Sequence, residues 1–287
     1  MSAQQKLREK LESIIEIATV PHVMAKLLVV VDDERSAATE LANVVASDQA
    51  VTAKLLRTVN SVHYALSRRV STVLDAVIIL GYEEVRNAAL AISVVGSFKG
   101  SRSSAKYRRE LWRHNLACAC TADQLQKRLR KDHPEVRECY VAGLMHDIGK
   151  SVLDQFLPIS AKTIRELVAE QGVELLEAER QVLEATHCEI GGWVAQNWDF
   201  PDVVVESVRY HHEPDALENP HLTTYVTHIA DFLSNRLYAV EEQKPEEPSA
   251  CTEARERLGL YDQIVAEVES DLEKQKGLFD IILEDVT

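Results

Sequence analysis

A run of apolar residues from Tyr140 to Met145 ends in two adjacent polar residues, His146 and Asp147. The run is typical of a buried helix, so both polar side chains are expected at a buried helix end. Burying an imidazole and a carboxylate is costly unless something binds them. A divalent metal ion is the obvious candidate, and this ligand pair suits zinc, iron, manganese or nickel better than calcium.

The composition favours an all-α fold. The chain has 287 residues, of which 46% are hydrophobic, and only 10 are glycine and 8 proline. Few glycines and prolines argue against a loop-rich β fold, and abundant Ala, Leu, Val and Glu suit helices. Apolar spacing predicts helices at residues 7–20, 21–31, 39–46, 49–61, 72–80, 83–96, 106–129, 135–145, 159–171, 175–186, 189–198, 202–210 and 222–242. Small or charged residues at 100–104 and 241–249 predict two linkers between domains.

Net charge and cysteine content restrict the possible partners and the cellular location. The net charge of −14 argues against nucleic acid as a partner, because like charges repel. No apolar stretch is long enough to span a membrane, and the polar N-terminus lacks a signal core. The five scattered cysteines give no disulfide framework, so we expect a reducing, cytoplasmic location.

Further imidazoles and carboxylates recur in the second half of the chain. His114 shares a helix face with Glu110, four residues earlier, and Asp231 lies in an apolar helix where it needs a partner. His187 begins a predicted helix, and His211 and His212 end another. An isolated histidine is more often a core or surface residue than a ligand. The dipole at a helix C-terminus favours cationic side chains, and this alone could account for His211 and His212. Only convergence in space would make these residues a site.

The chain resembles the HDOD proteins, bacterial signalling proteins related to the HD and HD-GYP metal-dependent phosphohydrolases. The resemblance covers about residues 10–240. It rests on these segments: Val20-Pro21-His22-Val23, Asp48 to Arg57, Val59-Asn60-Ser61, Ala76 to Gly81, Leu111 to His114, Ala142 to Lys150, His187 to Gly191 and Tyr210-His211-His212.

The resemblance implies a small N-terminal helical bundle at 1–100, an HD-like helical domain at 105–240, and an acidic linker with a C-terminal helical segment at 241–287. It also implies a nearly full set of ligands for one or two divalent ions. The HD ligands would be His114, His146, Asp147 and Asp231. Relatives with the Gly-Tyr-Pro signature add His187, His211, His212 and a glutamate for which Glu110 is the candidate.

One departure bears on activity. Glu213-Pro214-Asp215-Ala216 stands where the Gly-Tyr-Pro signature of the cyclic-di-GMP phosphodiesterases would follow the two histidines.

Two hypotheses for the function therefore stand. The first is a metal-binding signalling output module, akin to a response-regulator output, that acts on a protein partner. The alternative is a metal-dependent phosphohydrolase or phosphodiesterase acting on a nucleotide or cyclic nucleotide, with Asp147 and Lys150 in the chemistry and Lys150 on a phosphate oxygen. The sequence does not give the oligomeric state.

Overall fold

A computed structural model describes residue 13 and residues 22–28, 34–99, 104–238 and 247–286 of the chain. Within these ranges the regular structure is entirely helical, which confirms the all-α prediction. No described helix combines the length and the apolar character needed to cross a lipid bilayer.

Two compact units make up the chain. The large unit is Met1–Thr19 with Gly100–Lys274, and the small unit is Val20–Lys99 with Gln275–Thr287. The predicted division into 1–100, 105–240 and 241–287 remains a prediction, because compactness alone does not show which segments fold by themselves.

The small unit contains five short helices among its described residues. They are α1 (His22–Leu27), α2 (Glu34–Ala46), α3 (Gln49–Val59), α4 (Val73–Leu80) and α5 (Tyr82–Ser97). Asp48 caps α3 as its position predicts, because its carboxylate accepts hydrogen bonds from the backbone N–H groups of Ala50 and Val51. The core forms where the apolar faces meet, around fully buried Met24, Leu55 and Leu90.

The large unit is built on one long helix. Its helices are α6 (Ala105–Leu129), α7 (Cys139–Met145), α8 (Ile148–Phe156), α9 (Pro158–Gln171), α10 (Leu175–Leu183), α11 (His187–Asn197), α12 (Asp202–Tyr210), α13 (Leu222–Tyr238), α14 (Ser249–Leu258) and α15 (Asp262–Ile282), the last of which continues into the small unit. Helices α6, α7 and α13 pack side by side. The C-terminal segment contributes Cys251, Leu258 and Val268 to the core that α6 and α13 share.

Several helix boundaries differ from the predicted ones, and two of these differences have a backbone cause. Helix α7 begins at Cys139 rather than at 135, and α10 ends at Leu183 rather than at 186. In both places a glutamate has a positive φ, 58° at Glu138 and 57° at Glu184, and this left-handed conformation interrupts a helix. Helix α8, which starts directly after Asp147, was not predicted. The predicted helix at 7–20, apart from residue 13, and the predicted end of the last HD-like helix, residues 239–242, lie outside the described residues.

Candidate metal centre

Helix ends and helix faces bring seven of the predicted residues together in the large unit. His114 lies on α6 and Asp231 on α13, while His146 and Asp147 form the junction between α7 and α8. His187 is the first residue of α11, and His211 and His212 follow α12.

Two glycines set the helix distances that the cluster needs. A Cβ atom at Gly143 would lie 2.8 Å from the carbonyl oxygen of Cys118, so α7 packs directly on the backbone of α6 and carries His146 to His114. A Cβ atom at Gly149 would lie 2.0 Å from the carbonyl oxygen of His187. Helix α8 therefore meets the start of α11 backbone to backbone, and this contact places His187 beside Asp147.

The first group of ligands consists of His114, His146 and Asp231. The Nε2 atom of His114 is 3.1 Å from Nε2 of His146 and 3.0 Å from Oδ1 of Asp231, and the last two atoms are 3.7 Å apart. Ligands that share a tetrahedral ion at about 2.1 Å lie roughly 3.4 Å from one another. The three side chains thus have the spacing of ligands around one ion.

The second group consists of His187, His211 and His212. Cys188 is close enough to join it, since one ligand atom from each of the four residues lies within 4.8 Å of the others. Asp147 lies between the two groups. Its Oδ1 atom is 3.2 Å from Nε2 of His187, while its Oδ2 atom is 3.5 Å from Nε2 of His146. One carboxylate therefore presents one oxygen to each group.

Backbone hydrogen bonds fix the histidine tautomers. Nδ1 of His146 is 2.8 Å from the carbonyl oxygen of Gly143, and Nδ1 of His211 is 3.0 Å from that of Val208. A carbonyl oxygen only accepts, so each Nδ1 carries the proton and each Nε2 turns its lone pair to the cluster. Nε2 of His211 is buried and has no hydrogen-bond partner among the described residues. An unpartnered buried lone pair aimed into a histidine cluster fits a metal ligand.

Glu179 is a site residue that the sequence reasoning missed. It is almost fully buried on α10, and its carboxylate lies 2.8 Å from Nδ1 of His187 and accepts a 2.8 Å hydrogen bond from the backbone N–H of the same residue. Such a carboxylate behind a histidine orients the ring and raises its basicity. Nothing in the sequence indicates that Glu179 belongs to the site, because its partner His187 is eight residues away in another helix.

Burial keeps most of the imidazoles neutral. It lowers the pKa of His146, and it lowers the pKa of His211 well below the usual value, with further lowering from His212. Burial likewise lowers the pKa of His212 to about 4. These three rings are therefore neutral near pH 7, which is the form that binds metal.

Opposing effects set the pKa of the two carboxylates and of His187. Burial by itself would raise the pKa of Asp147, but Lys150 and His146 lower it well below the usual value. Burial would raise the pKa of Asp231 too, and the hydrogen bond from His114 outweighs it. Burial and Lys150 lower the pKa of His187, yet its hydrogen bonds, first that to Asp147, raise it well above the usual value.

Lys150 and Glu110 occupy different environments. The Nζ atom of Lys150 donates a 2.7 Å hydrogen bond to Oδ2 of Asp147, so this ammonium lies at the edge of the cluster. Glu110 is not brought to the cluster. Its side chain is 56% exposed and lies 3.8 Å from the ammonium of Lys106.

A cavity of about 610 Å³ opens beside the second group. His212 and Cys188 form its inner wall, and its other side chains include Arg180, Arg209 and Trp193. The Arg209 side chain lies across α11 where Gly192 leaves room, since a Cβ atom there would be 2.3 Å from the arginine Cγ. The cavity thus combines guanidinium groups and an aromatic ring with His212 of the second group.

The fold and the cluster define an all-helical protein with histidine and aspartate groups that could hold a divalent metal. Residues 17–214 match the HDOD domain family. The chain belongs to this family, which confirms the resemblance found in the sequence.

Curated relatives share part of the chain. An uncharacterized protein of Treponema pallidum is 26% identical over 199 residues, which are 68% of this chain and 38% of that protein. Ribonuclease Y of Thermus thermophilus is 30% identical over 188 residues, which are 62% of this chain and 27% of the enzyme. The chain therefore spans less than two fifths of the length of these relatives.

Solved structures share the whole fold. An HDOD domain protein of unknown function from Geobacter sulfurreducens is 27% identical with a TM-score of 0.75, and the match covers 92% of each chain. A protein of Shewanella amazonensis, provisionally described as a phosphohydrolase, has a TM-score of 0.73 at 24% identity and matches 98% of each chain. At that identity the second similarity shows the fold alone.

Proposed function

We propose that this chain is a cytoplasmic output or regulatory protein of bacterial signal transduction that holds divalent metal ions and acts on a protein partner. The observation that carries the metal assignment is the pair of ligand groups on either side of Asp147, with one carboxylate oxygen facing each. Family membership supports the regulatory role.

The donor set suits iron, manganese, zinc or nickel. It is mainly imidazole nitrogen with two carboxylates, and oxygen-rich sites for calcium or magnesium have a different composition. His114, His146 and Asp231 would hold one ion and His187, His211 and His212 a second, with Asp147 shared. Glu179 would keep the His187 ring in the ligating orientation.

A metal-dependent phosphohydrolase or phosphodiesterase acting on a nucleotide is the second candidate. It is favoured by the cavity beside His212, where Arg180 and Arg209 could bind phosphate oxygens and Trp193 could stack on a base. Ribonuclease Y, whose name denotes action on RNA, is a relative by sequence. Divalent ions bound in such a centre would lower the pKa of a coordinated water and neutralise phosphate charge.

In this second candidate the chain's own residues would have distinct tasks. The ammonium group of Lys150 lies 2.7 Å from Oδ2 of Asp147, near enough to the cluster to contact a phosphate oxygen. Asp147 would orient the ions relative to this ammonium. Against a cyclic-di-GMP hydrolase stands Pro214, which begins the short 3-10 helix Pro214–Ala216 at the place of the Gly-Tyr-Pro signature.

The test is metal analysis of the purified full chain followed by assays of turnover. We expect bound metal and no metal-dependent hydrolysis of bis-(p-nitrophenyl) phosphate or of linear and cyclic nucleotides. His146→Ala and Asp147→Ala should lose metal, whereas His221→Ala, an exposed histidine outside the cluster, should retain it. Hydrolysis that requires metal and disappears in both cluster variants would establish the second candidate instead. A chain that binds no metal under any loading condition would overturn the metal centre.

A further inference from the structure

The small unit has a cavity of about 970 Å³ that is lined by three arginines. Arg57 comes from the last turn of α3, and Arg68 and Arg69 come from the loop that follows. Among the described residues no acidic side chain lines the cavity, although the chain as a whole carries a net charge of −14. We call it the arginine pocket. This concentration of positive charge is unusual for so acidic a chain.

Asn60 ties together the two ends of the loop that presents Arg68 and Arg69. Asn60 accepts a 2.7 Å hydrogen bond at Oδ1 from the backbone N–H of Val70, and its Nδ2 donates to the carbonyl oxygens of Val70 and Leu56 at 2.8 and 2.7 Å. The Val70 side chain is buried in the core and anchors the far end of the loop. Arg68 and Arg69 therefore lie in a loop that contacts between Asn60 and Val70 close.

Carboxylates of the same chain already contact Arg57 and Lys54, of which Arg57 lines the pocket. Asp285 lies 2.7 Å from the ammonium of Lys54, and Glu284 lies 3.6 Å from the guanidinium of Arg57. The hydrogen bond from Lys54 lowers the pKa of Asp285. Arg68 and Arg69, by contrast, have no acidic partner within the ranges that the structure describes. The two loop arginines are therefore available to carboxylates from outside.

Aliphatic side chains form part of the remaining wall of the pocket, beside Asn60 and two serines. Val62 is 94% exposed, and Leu56 and Leu66 are partly exposed. No aromatic side chain of the described part of the chain lines the pocket, so it lacks the stacking surface with which proteins bind single-stranded nucleic acid. Its volume also exceeds that of an isolated phosphate. A surface with both arginine and aliphatic side chains matches a peptide that carries both carboxylates and aliphatic side chains.

We propose that the arginine pocket binds an acidic peptide segment of a partner protein. Arg68 and Arg69 bind its carboxylates, and Val62 and Leu66 contact its aliphatic side chains. Glu284 and Asp285 of this chain already make the equivalent contacts at Arg57. This site gives the regulatory function, on which the proposal rests, a partner of defined chemistry. It uses none of the residues of the metal centre, so either assignment can fail without the other.

The test is fluorescence anisotropy of the full chain with a short labelled peptide that alternates Glu-Asp pairs with leucine. We expect saturable binding that falls on the order of tenfold or more in Arg68→Ala/Arg69→Ala, because each hydrogen bond to a charged group stabilises a complex substantially. The matched control is Arg130→Ala/Lys131→Ala, which removes the same charge from exposed positions of the large unit and should bind as the parent does.

Two further arms separate the possible ligands. A peptide with Gln-Asn in place of Glu-Asp should not bind. Pyrophosphate and a single-stranded RNA should compete only weakly. Equal binding by the two arginine-pair variants, or displacement by pyrophosphate or RNA at lower concentration than by unlabelled peptide, would overturn the proposal. Circular dichroism of the loop variant checks that its helices are intact.

The C-terminal carboxylates offer a test in the opposite direction. Glu284→Gln/Asp285→Asn frees Arg57 and Lys54 from their partners, so the labelled peptide should bind a few-fold more tightly. Glu170→Gln/Glu174→Gln changes the net charge equally at exposed positions of the large unit and should have a smaller effect. Equal effects of the two pairs would show that general charge alone attracts the peptide and would contradict the assigned pocket.

Discussion

The metal centre of the large unit and the arginine pocket of the small unit concentrate polar groups in opposite ways. The ligands of the metal centre come from the ends and faces of separate helices, and His146, His187 and His211 are fully buried. The lining arginines of the pocket lie within one helix end and one loop and are exposed. A buried site assembled from distant segments depends on helix packing, whereas a local surface site depends on one loop. The two should therefore respond differently to mutation.

The largest expected effect is at the shared ligand. Asp147→Ala should abolish binding at both ion positions, whereas His114→Ala should remove only one ion, because that side chain belongs to the first group. The loss of affinity should exceed the roughly 10–100-fold that follows from changing an outer partner of a ligand. Metal content per chain, measured by mass spectrometry after loading, checks this. Equal losses in the two variants would show that there is no division into two groups.

The next effect concerns packing. Gly149→Ala places a Cβ atom against the carbonyl oxygen of His187, and we expect a loss of about 3 kcal/mol in the free energy of unfolding, with weaker metal binding. Gly96→Ala is the matched control in a helix of the small unit, where nothing lies within 4 Å of the added atom. There the change should stabilise by about 0.5–1 kcal/mol. Urea unfolding measures both, and a neutral Gly149→Ala would refute the close contact.

A smaller effect is expected behind His187. Glu179→Gln keeps the shape of the side chain but removes the charge that accepts from Nδ1 and from the backbone. Affinity for the ion of the second group should fall about 10–100-fold, while the first group retains its ion. Competition titration with a chelator distinguishes the two positions. Unchanged binding at both would mean that Glu179 serves packing only.

The smallest effect tests the loop of the arginine pocket. Asn60→Ala removes three hydrogen bonds, two of which close the loop at Val70, and we expect a loss of about 1–3 kcal/mol in stability together with weaker peptide binding. Metal content should not change. Asn43→Ala, on an exposed helix position, is the control and should be neutral or slightly stabilising. An Asn60→Ala variant that binds peptide normally would show that the loop is held by other contacts.

The same contrast explains what the sequence could predict. Helix α6 and helix α12 follow from apolar periodicity, and the start of α3 follows from Asp48, because these signals are local. The positive φ of Glu138 and of Glu184 carries no sequence signal, so the start of α7 and the end of α10 were misplaced. Each of the seven clustered residues stands out in the sequence, but their grouping into one ligand set came from the resemblance, since nothing in their spacing shows that their helices meet.

Glu110 and Glu179 show the two ways in which site prediction from the sequence failed. Glu110 was predicted but lies outside the cluster, and Glu179 lies in the cluster but was not predicted. A residue four positions before His114 shares its side of the helix only approximately, and the exposed fraction of the side chain rises from 16% at His114 to 56% at Glu110. Glu179 is in the site because α10 packs beside the start of α11, which depends on tertiary structure.

The most direct test of the two-group metal centre is anomalous diffraction from crystals of the full chain loaded with manganese. We expect two anomalous peaks, one on each side of the Asp147 carboxylate, with His114, His146 and Asp231 around the first and His187, His211 and His212 around the second. Fully loaded crystals with no peak in the cluster, or with a peak that Asp147 does not contact, would contradict it.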